Sequence, residues 1–130
     1  MNTWGKTALR WLPALIWMGV IFWFSSQPDL PRPADDLLNL LMRKTAHFGV
    51  YAVLALCYLW ALGPQRRWLA FGLAVLYAIS DEYHQSWTPK RVPAPTDVLI
   101  DSAGAAAALW VALPWLQHWI AARTTRRAAA

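Results

Sequence analysis

The chain has 130 residues, a formal net charge of +5 and a composition that is 58% hydrophobic with ten tryptophans. That mixture is too apolar for a soluble domain of this size, and its cations are too few and too scattered over loops for a nucleic-acid binder. It fits a one-domain membrane protein whose electrostatic partner is an anionic lipid surface, and the lone Cys57 permits no intrachain disulfide.

Four nearly uncharged segments stand out, residues 11–24, 48–62, 68–79 and 102–116. Each falls short of the roughly 20 apolar residues that cross a hydrocarbon core. Adding a turn at one end of each brings it close to spanning length, so four short transmembrane helices are predicted over about 9–25, 45–62, 67–86 and 97–118. The predicted fold is all-α: two helical hairpins in a single domain of residues 1–120, with a basic, disordered tail over 121–130. Lys6 and Arg10 before the first apolar run resemble a secretory signal, but Phe24-Ser25-Ser26-Gln27 lacks a small-x-small cleavage pattern, so a retained helix is expected.

After the first helix, Pro28, Pro31 and Pro33 favour extended chain, and Asp35 and Asp36 suit a helix N-terminus. Leu37, Leu38, Leu40, Leu41 and Met42 then form an amphipathic lead-in that lies at the interface or runs on into helix two. Gly63-Pro64 ends that helix and makes a tight hairpin with the third, which can persist to about Ser86 before Pro89 stops it. Pro93 and Pro95 delay the fourth helix to Thr96/Asp97, and Gly104 followed by Ala105 to Ala108 predicts a close helix contact. Trp4, Trp11, Trp23, Trp60, Trp68, Trp115 and Trp119 fall near segment ends, where indole rings anchor at the water-lipid boundary.

If every segment spans, consecutive helices alternate in direction and four ends meet on one face. Those ends carry Ser25/Ser26/Gln27, Lys44/His47, Asp81/Glu82/Gln85 and Asp97/Asp101. Helical spacing puts Lys44, His47 and Tyr51 on one side of helix two and Tyr77, Asp81 and Gln85 on one side of helix three, with Glu82 about 100° away. Arg91, in the following loop, is close enough in sequence to fold over the Asp81/Glu82 end.

Such a group offers anion contacts from Lys44 and Arg91, carboxylates that act as bases or hold a cation, and a histidine that titrates near neutrality. An acid/base pair centred on His47 and Glu82 is one reading of it. No metal is assigned, because no tight ligand spacing is present and Lys44 would compete. There is neither a glycine-rich phosphate loop nor a nucleophile-elbow serine. The opposing reading is an ion-pair network that locks the hairpins, with Asp97 as an N-cap and Asp101 paired to Arg91. In that reading His84 is a solvated interfacial histidine.

Parity places seven Lys and Arg on the face of the termini and five on the motif face. The positive-inside rule then sets both termini in the cytoplasm and the motif face outward.

Phe24-Ser25-Ser26-Gln27-Pro28, then Arg43-Lys44-Thr45-Ala46-His47-Phe48 with Tyr51, then Asp81-Glu82-Tyr83-His84-Gln85 with Pro89, Arg91 and Asp97, resembles the VanZ-like membrane protein family over about residues 11–112. The resemblance implies a small multi-pass protein of the bacterial cytoplasmic membrane. It also implies an envelope role, the founding activity being lowered susceptibility to teicoplanin, a lipid-tailed glycopeptide that acts at the outer face of that membrane. The positions carried over are Ser25, Gln27, Lys44, His47, Tyr51, Asp81, Glu82, Gln85, Arg91 and Asp97. Two positions depart from the pattern: Asp101 stands where Asn is usual, and Lys90 where Gly commonly precedes the Arg.

The expectation is recognition or modification of an amphiphilic envelope molecule. Membrane lipid is the partner, an anionic headgroup or lipoglycopeptide the ligand, and His47, Glu82 and Asp97 the candidate acid/base groups. Ser25, Gln27, Lys44, Tyr51, Asp81, Gln85, Arg91 and Asp101 are the candidate binding residues. Whether a bond is broken, which cofactor is used and which protein partner is met stay open. A non-catalytic helper that docks an envelope protein or alters lipid packing is the alternative, and a transporter ranks below both because no charge lies deep in a segment.

Overall fold

The computed structural model describes residues 3–28, 34–89, 93–115 and 117–118. Among them the chain forms four α-helices: α1 (Thr3–Ser25), α2 (Asp36–Leu62), α3 (Arg67–Gln85) and α4 (Pro95–Ala107), the last running into a π-helical segment, Ala108–Ala112. No strand occurs among the described residues.

The helix ends follow from local chemistry. Asp35 caps α2 by accepting the Leu38 N–H at 2.7 Å, so the leucine-rich lead-in is the first part of α2 itself. Gly63, with φ of 100°, closes that helix and donates its N–H to the Leu59 carbonyl. Pro64 lacks the N–H that the Trp60 carbonyl would next accept, and the Arg10 guanidinium supplies a donor instead at 2.9 Å. At the far end Pro114 likewise gives nothing to the Trp110 carbonyl, and the chain loosens into its π-helical turn immediately before it.

Each helix buries one stripe. On α1 it includes Ala14, Ile21 and Ser25; on α2, Tyr51, Leu54, Ala55, Tyr58 and Leu59. On α3 it is Ala70, Ala74, Ala78, Asp81 and Gln85, and on α4 Asp97, Asp101, Gly104 and Ala105. The small residues let helices approach closely, most of all where Gly104 meets Phe48: a Cβ there would lie 2.8 Å from the Phe48 carbonyl carbon. All four stripes are apolar through the body of the bundle, and α1, α3 and α4 turn polar at the same end. On α2 the residues one and two turns before Tyr51, His47 and Lys44, continue its stripe there.

The outward surface is hydrocarbon: Leu15, Ile16, Leu41, Trp60, Leu76, Leu99 and Val111 are all exposed. α1 from Ala8, α2 and the continuous stretch Pro95–Trp115 are long and apolar enough to cross a membrane, which makes this a multi-pass membrane protein. The α3 helix does not meet that criterion, so length and composition support three of the four expected spans. Its 19 residues carry Arg67, Asp81 and Glu82 and a correspondingly weaker hydropathy. The helices begin earlier than predicted at residues 3, 36 and 95, because backbone hydrogen bonding continues through polar turns that the apolar pattern leaves out.

Candidate functional site

The polar end is built from two linked groups. In the first, α1 and α3 meet through Ser25, whose hydroxyl donates to Asp81 Oδ1 at 2.5 Å, while Gln85 Nε2 donates to Asp81 Oδ2 at 2.9 Å. Asp81 and Gln85 are one turn apart on the stripe that begins as alanines, so the face that packs the core delivers them inside. Ser25, Asp81 and Gln85 are each 5% exposed, which makes the two bonds on the carboxylate necessary to its burial. Thr88, three residues past Gln85, is buried with them and reaches the Ser25 carbonyl at 3.5 Å.

In the second group, α2 and α4 meet through two carboxylates. Asp97 is 2% exposed and pairs with Lys44, with Arg43 at 3.6 Å and His47 Nε2 at 3.9 Å from its second oxygen. Asp101, equally buried, meets His47 Nδ1 at 2.9 Å. An ionised carboxylate only accepts, so the proton of that bond belongs to Nδ1 and Nε2 is the nitrogen turned toward Asp97. The imidazole is thereby oriented by one acid and held beside a second.

Tyr51 connects the groups. It is 1% exposed, lies one turn beyond His47 on α2, and has Asp81 and Asp101 as its electrostatic neighbours. Its hydroxyl lies beside the Asp81 carboxylate but, alone among the buried side-chain polar atoms of the described residues, makes no hydrogen bond of good geometry. Tyr77, with its ring centroid 6.4 Å from that of Tyr51, instead donates to the Met18 carbonyl at 2.7 Å.

The sequence-derived candidates thus divide. Ser25, Asp81 and Gln85 form one group, Lys44, His47, Asp97 and Asp101 the other, and Tyr51 lies between them. Glu82, with His47, Asp97 and Asp101 among its electrostatic neighbours, accepts the Ala94 N–H with its carboxylate, tying the end of α3 to the start of α4. Gln27 turns back to donate to the Trp23 carbonyl at 3.1 Å. Arg91 lies outside the described residues. One expectation is corrected: Ala94 holds the N-cap position and Asp97 lies in the first turn committed to Lys44. Asp101 meets His47, and its expected pairing with Arg91 lies outside the described residues. His84 is half-buried, with its ring stacked on Phe22 at 4.5 Å and its Nε2 3.0 Å from the Ser26 hydroxyl. Arg43 and Thr88 enter the site although the sequence reading did not select them. For Thr88 the signal was the continued 81, 85, 88 spacing.

Chemically, the site holds an oriented histidine, a buried carboxylate with two hydrogen bonds, and a phenol poorly bonded beside it. Among the described residues the Ser25 hydroxyl donates to Asp81, and His47 is hydrogen-bonded to Asp101. No group of three or more His, Cys, Asp and Glu side chains there is arranged to hold a metal.

The family model described as VanZ/LLP1 matches residues 10–117, a stretch that contains every residue of both groups. No curated protein and no solved structure matches the chain.

Proposed function

The chain belongs to the VanZ/LLP1 family, and from that premise we propose that it recognises or modifies an amphiphilic envelope molecule, lipid-tailed glycopeptides included, at the outer face of the bacterial cytoplasmic membrane. The observation that carries this reading is the convergence of Lys44, His47, Asp97 and Asp101 with Tyr51 and Asp81 at one end of the bundle. The buried Tyr51 hydroxyl, poorly bonded beside Asp81, is the polar atom there with a hydrogen bond to give. The polar part of the ligand lies at Tyr51, where the His47–Asp101 pair sets its protonation and orientation. Arg43, half-exposed beside Asp97, and Arg91 meet its negative charge, and its apolar tail runs along the lipid-facing helices.

In this proposal α3 is the fourth crossing. α2 ends and α4 begins at opposite ends of the bundle, so the chain returns across its full thickness through α3, whose 19 residues rise about 28 Å. Both termini lie in the cytoplasm and the polar end faces outward, within one domain of residues 1–120.

The test is susceptibility to a lipid-tailed glycopeptide in cells expressing the wild type, His47→Ala, Tyr51→Phe or Arg91→Ala, with membrane abundance measured in each. The expected result is loss of phenotype at normal abundance. A second reading has its own support, since Asp81, Glu82, Asp97 and Asp101 all have partners within the protein. In it the network holds helices together for a non-catalytic helper, and abundance falls in step with phenotype.

A further inference from the structure

At the end of the bundle opposite the polar cluster, a cavity of about 430 Å³ opens between α1, the last turns of α2 and the chain beyond the π-helical segment. Its walls are Leu56, Leu59 and Leu113, its floor is the Gly63-Pro64 turn, and Arg10 stands among the lining residues with Trp60. The volume lies in the roughly 300–1,000 Å³ range of small-molecule sites. We propose that this cavity binds an anionic phospholipid, its acyl chain against the three leucines and its phosphate on Arg10.

Three observations carry the assignment. Arg10 is fixed at the cavity by a single bond to the Trp60 carbonyl, the carbonyl that Pro64 leaves without a backbone donor. A guanidinium presents five N–H groups, so the tethered side chain keeps four for a phosphate, in the fork geometry that phosphate oxygens match. Among the described residues no carboxylate lines the cavity and Arg10 makes no ion pair, so its charge is uncompensated by them. Trp60, exposed over 67% of its surface, and Arg10 lie at the end of a spanning helix, the depth at which headgroups sit. The π-helical turn shapes the remaining wall: Leu113, whose N–H closes that turn on the Ala108 carbonyl, is also a lining residue.

The site is independent of the polar end and of any function assigned there. Its test uses the full chain extracted from vesicles of equal phosphatidylglycerol and phosphatidylcholine, with retained lipids read by native mass spectrometry. The wild type is expected to keep phosphatidylglycerol in preference. Arg10→Gln should lower that preference about fivefold, the ordinary worth of one basic residue at an anionic leaflet. Leu113→Trp, which fills the cavity and leaves Arg10 in place, should abolish retention, and Arg66→Gln, an exposed cation outside the lining, should change nothing. An equal loss in Arg66→Gln makes the attraction a diffuse surface effect and overturns the proposal. So does retention undiminished by Leu113→Trp. A wild type that keeps neither lipid, whether the chain after His118 or a second copy fills the cavity, overturns it as well.

Discussion

Gly104 of α4 lies against the backbone of Phe48 of α2 so closely that no Cβ fits between them. Phe48 follows His47, and Gly104 is one turn beyond Asp101, so the contact sets the distance at which His47 Nδ1 and Asp101 meet, 2.9 Å. Packing and site geometry are therefore one feature. Gly104→Ala should push α4 from α2, lowering stability by about 1–3 kcal/mol, the usual cost of overpacking. Gly72→Ala is the control, because an added Cβ there meets nothing within 4 Å. It should be neutral or stabilise by up to about 1 kcal/mol. Thermal unfolding of both variants in detergent decides, and a Gly104→Ala protein as stable as wild type would remove the close contact from the account.

Asp81 joins α1 to α3 as Gly104 joins α2 to α4. Replacing it with Ala strands Ser25 and Gln85 without their shared acceptor, at an expected cost of about 1–3 kcal/mol. Asp81→Asn keeps one acceptor oxygen for the Ser25 hydroxyl and should fall between wild type and Asp81→Ala. Melting temperatures in that order support the assignment, whereas equal values for the two variants would show that the hydrogen bonds to Asp81 do not set its contribution.

How far these partners can be read from the sequence depends on the kind of contact. The polar ends of the stripes are legible, because spacing of three and four residues puts Lys44, His47 and Tyr51 on one side of α2 and Asp81 with Gln85 on one side of α3. The Asp35 cap and the Gly63 stop are legible for the same local reason. Which acid meets which base is not, since that depends on how helices approach. Asp101 meets His47 because Gly104 seats α4 on Phe48, a pairing between residues 54 apart that no local pattern specifies. Glu82 illustrates the same limit: no local pattern shows that its carboxylate accepts the Ala94 N–H. α3 falls short of spanning composition because it carries charge at both its ends.

The Asp97 pair gives a sharper test. Asp97 is almost fully buried, so Lys44→Met leaves a carboxylate whose remaining cationic neighbour is Arg43, 41% exposed at 3.6 Å, with His47 beyond at 3.9 Å. Breaking a buried pair costs about 3–5 kcal/mol, and the partial exposure of Lys44 with Arg43 nearby sets the expectation near the low end. Removing both charges in Lys44→Met/Asp97→Leu should recover most of that loss, since no stranded ion remains. Unfolding of the two single variants and the double variant gives the coupling directly; additive losses would mean that the two charges do not interact.

Tyr51 separates architecture from ligand binding. Its hydroxyl has only a poorly aligned contact with Asp81 to lose, and Tyr51→Phe keeps the ring that fills the junction between Asp81 and Asp101. Stability should therefore hold or rise by up to about 1 kcal/mol, because a poorly bonded buried polar atom is removed. If the junction receives the ligand, as proposed, the same variant loses the susceptibility phenotype while its abundance in the membrane is unchanged. A drop in stability would instead show that the hydroxyl is bonded within the folded protein, with Asp81 its nearest candidate. An intact phenotype at normal stability would move the ligand away from the junction and leave the His47–Asp101 pair as a link between α2 and α4.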